Sequence, residues 1–81
     1  MQVSDIKVIG LWITEDFYSN YSQCELRAGE VSFQLDIGEF DENKAKEIKA
    51  LFNLEASLEE IILDIMAKVH KAAQIESRNI Q

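Results

Sequence analysis

The sequence predicts an α+β fold, a three-stranded antiparallel meander followed by two helices packed on one sheet face (β-β-β-α-α), from two observations. Up to Gly38 the apolar residues alternate with polar ones or run without interruption, and beyond it they recur every three to four positions. The second observation is the Gly29-Glu30 pair between YSQCELRA and VSFQLDI, a two-residue hairpin loop with glycine in the first position, as a type II′ turn requires.

That turn sets a register. With Ala28 facing Val31, Leu26 faces Phe33, Cys24 faces Leu35 and Ser22 faces Ile37 on one side. Arg27 with Ser32, Glu25 with Gln34 and Gln23 with Asp36 take the other. A slip of one residue would mix the two faces, so the pattern specifies this hairpin strongly. The preceding DIKVIGLWIT is apolar on both faces and reads as the first strand. If Ser19-Asn20 is its turn, Ile13 opposes Leu26, Leu11 opposes Ala28 with Ile9 continuing the core face, Trp12 opposes Arg27 and Tyr18 opposes Tyr21. This pairing turns Glu15 inward opposite Cys24, a conflict that a bulge at Gly10, or pairing that stops near Thr14, would remove.

Asp41 can cap a helix running to about Asn53, with Ala45, Ile48, Leu51 and Phe52 inside. Ser57-Leu58-Glu59-Glu60 has the form of a capping box and opens a longer helix to about Glu76. Its apolar face is Leu58, Ile61, Ile62, Ile65, Val69 and Ala72 or Ala73. The expected core is Leu11, Ile13, Leu26, Phe33, Leu35, Ile37, Ile48, Leu51, Phe52, Ile61, Ile62, Ile65 and Val69. With 81 residues the chain is read as one domain over 1–76 and a frayed tail over 77–81. A chain of this size hides only roughly 60–65% of its unfolded surface, which makes a partner or self-association plausible at the outset.

Residues 16–21 read DFYSNY, three of the seven aromatic residues of the chain. On the pairing above, Trp12, Tyr18 and Tyr21 lie on the sheet face away from the helices, joined by Ile6 and Val8 if the strand is regular. Such a face, rimmed by Asp16, Glu25 and Asp36 and including Arg27, has the composition of an interface centre. A bulge at Gly10 offers the other arrangement, with Trp12 turned inward, Phe17 closing the core and the tyrosines at its rim. Charge either serves only to keep a small protein soluble or points the same way as the first arrangement. The formal net charge is −7, and residues outside 15–42 carry seven acids and seven bases, so the excess lies wholly within that window. It repels nucleic acid phosphates and attracts basic protein surfaces.

Catalytic chemistry finds no footing. His70 is the only histidine, and its helix neighbours offer neither a nucleophile nor an orienting carboxylate; Cys24, the only cysteine, alternates with Leu26 on the inward face and is expected to be a buried, unreactive thiol, and no ligand spacing suggests a metal site. Adjacent acid pairs such as Asp41-Glu42 diverge on a helix. Glu25 and Asp36, diagonal across the hairpin, sit on an open face with nothing to separate their proton affinities. The chain is therefore expected not to be an enzyme and to need no cofactor or metal. Without a leader or a long apolar run it is expected to be cytoplasmic. Two functions follow as expectations. The first is a small acidic module that binds a basic protein, an inhibitor occupying a nucleic-acid-binding surface; small size, acidity and absent catalytic chemistry are compositional traits of many phage-encoded inhibitors of host defence nucleases. The second is a structural or adaptor subunit forming a homodimer through the open sheet face.

Overall fold

The computed structural model describes residues 1–13 and 21–79. A short 3-10 turn, Val3–Asp5, leads into strand β1 (Lys7–Ile13). β2 (Tyr21–Ala28), β3 (Val31–Asp36), a second 3-10 turn (Ile37–Glu39), helix α1 (Glu42–Leu51) and helix α2 (Leu58–Asn79) follow. The sheet is antiparallel in the order β1-β2-β3, and the two helices pack on it, as the sequence predicts.

The β2–β3 ladder is the predicted one, with Ala28 opposite Val31, Leu26 opposite Phe33, Cys24 opposite Leu35 and Gln23 opposite Asp36. Gly29 at φ 63° supplies the left-handed first position of the turn. Alternation then buries Cys24, Leu26, Ala28 and Leu35 completely or nearly so.

β1 pairs in a different register from the one expected. Lys7 faces Arg27, Val8 faces Leu26, Gly10 faces Glu25, Leu11 faces Cys24, Trp12 faces Gln23 and Ile13 faces Tyr21. The register shifts between Val8 and Gly10, so Ile9 is the extra residue of a bulge directly before the glycine, and shifts again between Trp12 and Ile13. Three expectations are corrected. Ile6, which a regular strand would have put on the open face with Val8, is 1% exposed in the core, and Val8 packs against the core beside it. Ile9, assigned to the core, is 48% exposed. Leu11 rather than Glu15 lies opposite Cys24, which removes the buried-carboxylate conflict. The cause is the run VIGLWI, apolar at all but one position, in which alternation favours no register over another. The proposed Ser19-Asn20 turn and the positions of Glu15 and Phe17 lie outside the described residues.

Asp41 caps α1, its Oδ1 accepting from the Lys44 amide at 3.0 Å. The helix ends at Leu51 in a Schellman arrangement: the Leu54 amide donates to the Lys49 carbonyl at 3.0 Å and the Asn53 amide to that of Ala50 at 3.4 Å. Asn53 itself is left-handed at φ 53°. This reversal buries Phe52 and Leu54 while Leu51 faces solvent at 46%, so Leu51 does not belong to the core as expected. Ser57 Oγ accepts from the Glu60 amide at 3.2 Å at the start of α2, which runs to Asn79, beyond the expected end near Glu76. Ile48, Phe52, Ile61, Ile65 and Val69 close the core over the sheet, with Phe33, Ile37 and Ile62 partly buried around it. The N-terminal segment is held by Lys68, whose Nζ donates to the Val3 carbonyl at 2.6 Å and pairs with Asp64 at 2.8 Å.

Candidate functional site

The outer sheet face is built from positions that the β2–β3 ladder and the bulge turn away from the helices. Trp12 is 45% exposed, and the six-membered part of its indole lies across Gly10: a Cβ added there would come within 3.3 Å of Cη2. The absent side chain therefore lets the ring lie over the strand, with almost half of its surface still in water. Exposed Ile9 precedes it at the bulge. Across the sheet from Trp12 lie Gln23 and then Asp36, and the Gln34 side-chain amide donates to Gln23 Oε1 at 3.1 Å.

The charged residues of this face are partly engaged with each other. Arg27 pairs with Glu25 along β2 at 3.3 Å, the arginine mostly exposed and the carboxylate less so. The expected pairing of Trp12 with Arg27 is absent from the ladder, because Lys7 occupies the position opposite Arg27. Asp36 ends β3 and accepts from the Gly38 amide at 3.1 Å, which leaves its other oxygen free of that turn. Tyr21 pairs with Ile13, not with Tyr18, through the backbone of β2. Its side chain, and Asp16 and Tyr18 altogether, lie outside the described residues.

Topology gathers the carboxylates. β1 ends, β2 begins and β3 ends at the same edge of the sheet, and the second 3-10 turn and the start of α1 follow directly. Asp36, Glu39, Asp41 and Glu42 are thereby placed at the end of the sheet where Trp12 lies. A shallow open hollow of about 650 Å³ lies where the second 3-10 turn meets α1, lined in part by Glu39, Phe40, Asp41 and Lys44, the last paired with Glu47 at 3.2 Å. Glu30, at the hairpin tip, belongs to the opposite end. Sequence reasoning placed these acids in one window but did not foresee that they share one end of the sheet, since that follows from pairing rather than spacing. It also missed Ile9, whose exposure depends on the bulge.

Cys24 is fully buried, and burial pushes its thiol from the ordinary 9.0 to about 11, so it is protonated near neutrality and out of reach of reagents. Among the described residues no group of three or more His, Cys, Asp or Glu could hold a metal ion, and no helix is long and apolar enough to cross a membrane. His70 is exposed on α2, beside the Gln74 amide at 3.3 Å. No family model matches the chain, and neither a curated protein nor a solved structure does.

Proposed function

We propose that this chain is a small non-enzymatic protein-binding module whose uncovered sheet face receives a basic surface of a larger macromolecule, in the manner of an inhibitor that covers a nucleic-acid-binding site. The observation that carries this reading is Trp12, exposed across Gly10 at the end of the sheet where Asp36, Glu39, Asp41 and Glu42 gather. An exposed indole anchors contacts by burying large area with little loss of freedom, and carboxylates at the same end of the sheet steer a cationic partner and stand in for phosphates. The formal net charge of −7 extends that attraction over the distance of encounter.

The test is capture of proteins from a cell extract on the immobilised chain, with elution by rising salt. Wild type should retain basic nucleic-acid-binding proteins that leave at high salt. Trp12→Ala should lose them throughout, and Glu25→Lys with Asp36→Lys should release them at lower salt. Clients that remain on both variants, or that are acidic, contradict the reading.

A further inference from the structure

The side of α2 turned away from the core carries a pattern that the sheet-face reading does not use. Glu59, Glu60, Leu63, Met66, Ala67, His70 and Lys71 are all exposed, Leu63 at 65% and Met66 at 37%. At 100° per residue they form one continuous stripe opposite the buried Ile61, Ile65 and Val69. Along it the order is acidic, apolar, basic. A helix dipole accounts for acids at the N-terminal end and cations further on, but not for a leucine and a methionine held in water between them.

We infer that this stripe is a self-association surface, and that its occupant is α2 of a second copy lying antiparallel across a two-fold axis. In such a pair the facing positions have a constant sum of residue numbers. Placing the axis at the level of Ile65 sets Glu59 against Lys71, Glu60 against His70 and Leu63 against Ala67, each twice by symmetry. Both ends then meet opposite or hydrogen-bonding partners, and the large side chain meets the small one. Met66 falls beside the partner's Asp64 position, at the edge of a hollow lined by Val3, Glu60, Leu63 and Asp64. Charge also selects this side of the molecule. Residues 43–81 contain six acids and six bases, so two copies can approach here without the repulsion that the 15–42 window imposes. The inference stands apart from the proposed function: dimerisation without any client tests it alone.

Sedimentation equilibrium across a concentration series, in the absence of any client, is the measurement. Wild type should dimerise. Two charge-reversed chains, Glu59→Lys with Glu60→Lys and His70→Glu with Lys71→Glu, should each self-associate at least about tenfold more weakly, and an equimolar mixture should form a heterodimer of near wild-type affinity, because both pairs are restored. Leu63→Gln, a substitution on the exposed side, should remain folded by circular dichroism and be monomeric; it decides the matter if a reversed chain fails to fold. Wild type monomeric to millimolar concentration, a Leu63→Gln chain that dimerises as wild type does, or folded reversed chains that do not pair on mixing overturns the inference.

Discussion

Gly10 and Trp12 are joined by the absence of a side chain, and each should report on the other. In Gly10→Ala the new methyl would stand 3.3 Å from the indole, tighter than an ordinary contact, and the ring has open solvent into which to lift. The substitution is therefore expected to cost under about 1 kcal/mol while shifting the emission of the chain's single tryptophan, a change readable by fluorescence before and after urea unfolding. Cys24 gives a second residue-scale outcome with a definite sign. Its thiol is held near 11 in the folded chain against 9.0 ordinarily, so the folded state binds this proton more tightly than the unfolded state does. The corresponding stability is fully present below about pH 9 and is lost as pH rises through 11. Cys24→Ala should be less stable than wild type at pH 8 from lost packing, but the difference should narrow by up to roughly 2 kcal/mol on going to pH 11. Urea titrations of both chains at the two pH values check this. A difference that stays constant would mean the thiol is not desolvated.

At the scale of elements, burial separates two leucines of similar sequence character. Leu35, fully buried between the sheet and the helices, should cost roughly 2–5 kcal/mol as Leu35→Ala, whereas Leu51, in water at the end of α1, should cost within about 0.5 kcal/mol as Leu51→Ala. Thermal melts of the two variants distinguish them directly, and equal losses would refute the assignment of faces. The same contrast marks what was legible in the sequence. The β2–β3 register could be read residue by residue because Gly29 fixes the turn and alternation fixes the faces. Asp41 and Ser57 could be read as caps because their side-chain chemistry is local. The β1 register could not, since Val8, Ile9, Leu11, Trp12 and Ile13 are apolar whichever way the strand faces, and the choice among registers is made by whether Ile6 or Ile9 reaches the core. Leu51 was misplaced for a related reason: the left-handed Asn53 ends the helix two residues earlier than periodicity suggested and folds Leu54 inward to take the buried place. For the candidate site, the sequence left Trp12 between an outward and an inward position, and neither that choice nor its neighbours could be read, because both are set by the bulge and by cross-strand pairing.

For the molecule as a whole, the asymmetry of charge sets what it can approach. We expect no measurable affinity for duplex DNA or for RNA at physiological salt. The excess of carboxylates offers no track for phosphates, and no counterions would be released on contact. A fluorescence anisotropy titration with a labelled duplex should stay flat, and micromolar binding would contradict both this expectation and the proposed function. Dimerisation through α2 leaves the two sheet faces pointing outward. One assembly would then present two Trp12 surfaces and could hold a repeated or symmetric basic partner more tightly than either surface alone.

β3 closes one side of the sheet as an edge strand, and this has a consequence for colloidal behaviour. VSFQLD is six residues of regular strand, with Val31, Phe33 and Leu35 at alternate positions, and lacks lysine, proline or bulge, the devices that usually keep edges from pairing with other molecules. What guards it is Glu30 and Asp36 at its ends and the mutual repulsion of chains that each carry a large negative charge. That guard is removable by acid. Near the sequence pI of about 4.5 the repulsion vanishes while the strand edge remains, so the chain should gather into β-rich, thioflavin-binding aggregates there and stay clear at neutral pH. Ser32→Lys, exposed on that strand, should keep the solution clear at the same acidity by restoring charge where the edge lacks it.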